Sequence, residues 1–156
     1  MEELVELRLL SNEFYKDYPR DKYPELESKN GRPYVVLLVR INDLKFAIPF
    51  RTNIKHKYSY TFKSTGRTTK SNTGIDFSKA IVVLKESYLD GKANIDNKEY
   101  AELDSKASFI INKFKKYVQN YVTYKTSGGD ENIFYKYRYS TLNYFDEVLL
   151  KDTTNE

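Results

Sequence analysis

The sequence has no cysteine, no tryptophan and one histidine, His56. Without cysteine, disulfides, thiolate metal sites and cysteine nucleophiles are excluded. With one histidine, a zinc site would rest mainly on carboxylates, which is uncommon. Any chemistry is therefore expected to need no cofactor and no metal, or to borrow only a loosely held ion. No apolar window approaches the length of a membrane span. The opening Met1-Glu2-Glu3 is acidic, unlike the basic start of a secretory leader. The expectation is a cytoplasmic protein with no membrane partner. The most informative scarcity is local. From Leu44 to Ile75 there is no Asp or Glu, yet Lys45, Arg51, Lys55, Lys57, Lys63, Arg67 and Lys70 fall there. The remainder carries 19 basic and 22 acidic residues, so the net charge of +4 comes from one block. A polyanion is the natural partner of such a field.

What is present describes one domain over residues 1–156, with enough hydrophobic sequence (40%) for a true core. Tyrosine is abundant, with 15 copies. Its ring can stack on a nucleobase or line a half-exposed core, and the count alone does not choose.

Val5, Leu7 and Leu9 alternate with charged residues and predict a strand over 4–10. Ser11 is placed to cap a short helix running to about Tyr18. The apolar run 34–41 predicts a central strand covered on both faces. Asn42-Asp43 turns the chain into a partner strand over 45–48, and Pro49 is expected to end or bulge the pairing. Residues 51–73 form a long polar segment, in which Tyr58–Phe62 alternates as an edge strand. A further strand is expected over 75–84. A long helix opens at Asp96-Asn97, with its apolar stripe on Tyr100, Leu103, Ala107, Ile110, Phe114, Tyr117 and Tyr121. Phe134–Tyr139 predicts a last strand, and Ser140 or Thr141 a cap for a final helix to about Leu150. Asp76 and Lys79 read as a sheet-edge pair. These elements give an α+β fold: a strongly twisted antiparallel sheet, partly barrel-like, surrounded by helices.

The stretch Pro49-Phe50-Arg51-Thr52-Asn53-Ile54-Lys55-His56-Lys57 carries the candidate chemistry. Metal-free RNA cleavage requires deprotonation of a 2′-hydroxyl, stabilisation of a pentacoordinate phosphorus and protonation of the 5′-oxygen. Histidine, lysine or a positioned hydroxyl can move the protons, and arginine and lysine can hold the phosphoryl charge. Arg51, Thr52, Lys55 and His56 supply these types within six residues. The plain alternative is a solvated polar turn. Lys57, Lys63, Arg67 and Lys70 are candidates for gripping a nucleic-acid backbone, with Tyr58 and Tyr60 as stacking surfaces. Lys113 and Lys116 would extend the basic face, or serve only to solubilise their helix.

Three runs carry a family likeness: Arg32-Pro33-Tyr34 entering an apolar strand, Phe46 to Lys57, and Thr73-Gly74-Ile75-Asp76-Phe77-Ser78-Lys79-Ala80. In these the chain resembles the ToxN/AbiQ-like toxins of type III toxin–antitoxin systems, with its nearest likeness to the CptIN and TenpIN branches. The resemblance implies a metal-independent endoribonuclease that leaves 2′,3′-cyclic phosphate ends, on a sheet similar to that of MazF/Kid toxins. It implies a small RNA antitoxin of repeats folded as pseudoknots, processed by the toxin and retained in a closed protein–RNA assembly. Cellular or phage transcripts would be the substrates of free toxin. It places the family's hydroxyl on Thr52, where many members carry serine, and its following lysine on Lys55 after a one-residue insertion. A lysine of the preceding strand falls on Arg32; the family's tyrosine falls on Tyr34 or Tyr58. A role for His56 comes from residue type and position alone. Two rivals use the same features: a non-catalytic RNA-binding module, and an interaction protein whose tyrosine-rich surface meets an acidic partner.

Overall fold

The computed structural model describes residues 5–26, 34–66, 72–128 and 136–151. Its centre is the hairpin of β2 (Val35–Ile41) and β3 (Leu44–Arg51), paired antiparallel from Val36↔Pro49 to Ile41↔Leu44. Asn42 makes the reversal possible by taking the left-handed conformation (φ 56°), which asparagine tolerates better than most residues. Four successive β2 residues, Val36 to Val39, are buried. Because strand side chains alternate between faces, such a run must be covered on both sides. On one face α3 (Ala107–Thr126) lays Phe114 edge-on against Phe46, with ring centroids 5.4 Å apart. On the other, Phe14 of the Ser11-capped helix α1 (Asn12–Asp17) packs near Ala47 and Ile81.

The sheet runs β4-β5-β3-β2-β1-β7, with β6 also on β3, and every pairing is antiparallel. β1 is Leu7–Leu10, β4 Ser59–Thr61, β5 Gly74–Asp76, β6 Ile81–Val82 and β7 Leu89–Lys92. The architecture is the expected α+β sheet with surrounding helices. The path is open, ending in β4 and β7 rather than closing into a barrel.

Several elements depart from the sequence expectation. β3 continues through Pro49 to Arg51, and its outer edge is divided: β6 pairs Phe46 and Ala47, whereas β5 pairs Phe50 and Arg51. Ile48 and Pro49 fall between the two, where a residue without an N–H costs little. The single strand expected over 75–84 is broken by a 3₁₀ turn at Phe77–Lys79, because the Asp76 carboxylate accepts from the Ser78 N–H and caps it. The long helix is two, α2 (Asn97–Ser105) and α3, divided at Lys106. Leu103, Ile110, Phe114, Tyr117 and Tyr121 are buried as the stripe predicts, but Tyr100 is exposed. Lys136 and Tyr137, expected in a strand, are helical; the strand's first two residues lie outside the described set. Ser140 caps a 3₁₀ segment, Thr141–Phe145, that leads into a short helix α4 (Asp146–Leu149). β7 was not anticipated.

Candidate functional site

Arg51 is the last residue of β3 and sits opposite Gly74 of β5. Two residues along β5, on the same face, stands Asp76. Its side chain is fully buried, and its Oδ2 lies 2.6 Å from Arg51 Nη1. Its other oxygen, Oδ1, faces His56 Nε2 at 3.2 Å and accepts from the Ser78 hydroxyl at 2.6 Å and the Ser78 N–H at 2.9 Å. One buried carboxylate therefore gathers an arginine, a histidine and a serine. Burial of a carboxylate is costly unless it is paired and hydrogen-bonded, and each oxygen here is satisfied. The sheet-edge pair expected between Asp76 and Lys79 is absent. Lys79 instead reaches Glu25, donating to its carbonyl at 2.7 Å, because the 3₁₀ turn rotates it away from β5.

The His56 ring is held at both nitrogens. The Tyr58 N–H donates to Nδ1 at 3.1 Å, so Nδ1 is the acceptor and neutral His56 carries its proton on Nε2, toward Asp76. Ser78 Oγ lies 3.3 Å from that same Nε2. A Ser–His–Asp relay needs the carboxylate and the hydroxyl on opposite ring nitrogens. Here both meet Nε2, so the three do not form such a relay. Any proton transfer through His56 requires Nε2 to leave Asp76.

The segment leaving β3 is anchored rather than loosely solvated. Asn53 takes a left-handed φ of 56°, and Ile54 is buried. The Ile54 N–H donates to the Asn72 carbonyl at 3.0 Å, and Asn72 Nδ2 donates back to the Ile54 carbonyl at 3.2 Å. Just before these fixed points Thr52 is exposed, and its hydroxyl makes no hydrogen bond among the described residues. Lys55 and Lys57 are also exposed. The structure thus brings Arg51, Thr52 and His56 to one strand end.

Tyr58 is half-buried and stacks on His56, with centroids 5.7 Å apart at 27°. Beside it opens a cleft of about 200 Å³ lined by Lys57, Tyr58, Lys113 and Lys116. Lys136, which no sequence signal marked, completes it. Its ammonium lies 5.9 Å from the Tyr58 ring centre and 5.3 Å from that of Tyr137. Burial, and then the like charges of Lys57 and Lys116, pull its pKa below the usual lysine value. Lys113 donates to the Ser59 carbonyl at 2.9 Å, which fixes its ammonium at the cleft.

Tyr60 is not the stacking surface expected. It is buried, and its hydroxyl donates to Glu102. Burial, together with that carboxylate, pushes its pKa up to about 12. Around it, α2 binds the acid-free span. Glu102 accepts from the N–H groups of Lys63 (2.9 Å) and Ser64 (2.8 Å). Buried Glu99 accepts from the Thr65 hydroxyl at 2.7 Å, and Asp96 from the Gly66 N–H at 2.8 Å. The acids missing from the local sequence are supplied by a helix thirty or more residues away. Lys63 is exposed at the edge of this loop, facing a separate cleft beside Glu102. Arg32, Arg67 and Lys70 lie outside the described residues.

No cluster of three or more potential metal ligands occurs among the described residues. No described helix is long and apolar enough to cross a membrane. No family model, curated protein or solved structure matches the chain.

Proposed function

We propose that the protein is a metal-independent endoribonuclease, the toxin of a type III toxin–antitoxin system. The carrying observation is that one buried carboxylate, Asp76, clamps Arg51 and His56 beside an exposed hydroxyl on Thr52 that makes no hydrogen bond among the described residues. Side chains fixed in this way can stabilise a phosphorane without reorganising during the reaction. In the reaction the 2′-oxygen forms a bond to phosphorus and gives up its proton, while the bond from phosphorus to the 5′-oxygen breaks and that oxygen takes a proton. Thr52 orients the attacking hydroxyl. Arg51 and Lys55 carry the charge on the non-bridging oxygens, and His56 relays the proton once its ring turns from Asp76 and the Tyr58 N–H: the neutral imidazole takes it from the 2′-hydroxyl, and the imidazolium so formed gives it to the 5′-oxygen. Exposed Lys57 and Lys116 hold the flanking backbone. The product is a 2′,3′-cyclic phosphate. A small RNA antitoxin of repeat pseudoknots is the proposed inhibitor, with cellular or phage mRNA as substrate.

A second reading is favoured by one observation. Both ring nitrogens of His56 are already engaged, as they would be in an RNA-binding module without catalysis. End-labelled RNA incubated with the protein in excess EDTA separates the two. Discrete cuts with cyclic phosphate ends, lost in Thr52→Ala, are expected. Intact RNA with a salt-sensitive gel shift would establish the binding module instead.

A further inference from the structure

Four lysines are held in ion pairs: Lys45 with Glu86, Lys79 with Glu25, Lys85 with Asp17 and Lys125 with Asp146. The cleft beside Tyr58 differs in gathering several lysines in one place. Lys57, Lys113, Lys116 and Lys136 converge on about 200 Å³, and no ion pair joins any of them to a carboxylate among the described residues. Like charges this close repel one another at a cost in stability; burial first, and then the charges of Lys57 and Lys116, lower the pKa of Lys136. The cost is recovered if an anion occupies the cleft.

The shape of the cleft narrows the choice of anion. One wall is the half-buried ring of Tyr58, already backed by His56 on one side. Lys113 and Lys136 are held in place, the first by the Ser59 carbonyl and the second over two tyrosine rings. Asn120 adds an amide that can donate or accept. Fixed cations beside an aromatic face and one amide suit a phosphodiester with its attached nucleoside. An acidic peptide would use the charges and leave the ring idle. The link from Tyr58 through His56 to Asp76 and Arg51 makes the cleft continuous with the strand-end cluster.

We propose that this cleft is a phosphate subsite for single-stranded RNA, in which Lys57, Lys116 and Lys136 hold one backbone phosphate next to the strand end and Tyr58 stacks the adjoining base. The proposal rests on the endoribonuclease reading for the identity of the strand, and it adds Lys136 as a binding residue.

The probe is a fluorescent oligoribonucleotide, 2′-O-methylated at every position. It lacks the attacking hydroxyl and cannot be cleaved by this mechanism, so binding is read apart from catalysis. Its affinity is measured by anisotropy over a series of salt concentrations. Lys136→Gln and Lys116→Gln should each lower the salt slope by about 0.7, the value for one released counterion on a single strand. Tyr58→Leu should weaken binding about tenfold and leave the slope unchanged. Lys92→Gln, on β7 at the opposite end of the sheet, should change neither. Circular dichroism checks that each variant is folded, and exposed Lys116 provides a readout should Lys136→Gln unfold. Slopes for both cleft variants equal to that of Lys92→Gln would overturn the subsite, even if natural RNA is still cleaved. Equal binding of a polyglutamate peptide, insensitive to Tyr58→Leu, would overturn it in favour of a general anion surface. Loss of cleavage alone, with the slopes as expected, would count against the endoribonuclease reading and leave the subsite standing.

Discussion

Arg51 and Asp76, 25 residues apart, meet at 2.6 Å with the carboxylate fully buried. The pair joins the end of β3 to the turn after β5 and holds His56 through the second oxygen. Truncating one partner of a buried pair leaves the other charge stranded. Asp76→Ala should therefore cost about 3 kcal/mol in urea unfolding. In the NMR spectrum the His56 ring signals should shift as well. A loss under 0.5 kcal/mol would show that the pair does not organise the strand end.

Thr52→Ala should behave in the opposite way. The hydroxyl is exposed and unbonded among the described residues, and such surface changes usually alter stability by no more than about 0.5 kcal/mol. An unchanged melting temperature with abolished RNA cleavage is expected, and a calorimetric scan beside the gel assay checks both.

Gly74 of β5 pairs with Thr61 of β4. A Cβ there would sit 2.0 Å from the Tyr60 carbonyl oxygen and 2.8 Å from the Thr61 Cα. Backbone cannot yield as a flexible side chain can. Gly74→Ala should destabilise the protein by at least about 2 kcal/mol. Hydrogen exchange should show β4 and the amides of Lys63 and Ser64 losing protection first.

The contact of α2 with the loop after β4 should titrate at both ends of the pH scale. Burial raises the pKa of Glu102, but bonds from the Tyr60 hydroxyl and the Lys63 and Ser64 N–H groups outweigh it, leaving the carboxyl below its usual range. Its stabilisation is present above the unfolded value and is lost as pH falls through the folded one. Tyr60 is shifted the other way, so its contribution is present below the unfolded value of about 10 and is lost as pH rises through about 12. An NMR titration should show the Glu102 carboxyl and the Lys63 and Ser64 amides moving together at acid pH. In Glu102→Gln that coupled acid transition should disappear.

Asn53 sets the turn that presents Thr52. Its left-handed φ of 56° would cost alanine about 1 kcal/mol, whereas glycine adopts it freely. Asn53→Ala should lower both stability and RNA cleavage, and Asn53→Gly should restore most of both.

The hairpin of β2 and β3, the Ser11 cap, the edge strand at 59–61 and the buried stripe of α3 were legible because each is written in local pattern. An apolar run, a capping residue and a period of two or near four act over a few residues, and tertiary context did not override them. Local sequence also determined which residue types stand at the end of β3: an arginine, a hydroxyl, lysines and the one histidine. The tertiary structure decided what they touch. Asp76 read as a sheet-edge residue, because nothing in a strand pattern shows that its side chain will cap a turn and face β3. The acid-free span looked unopposed, because Asp96, Glu99 and Glu102 reach it only when α2 folds across the loop. Lys136 carried no signal, since one lysine among 26 basic residues gains meaning only from the three others that the fold sets around it. Periodicity and capping are properties of neighbours along the chain, whereas ion pairs and clefts are made by residues far apart in it.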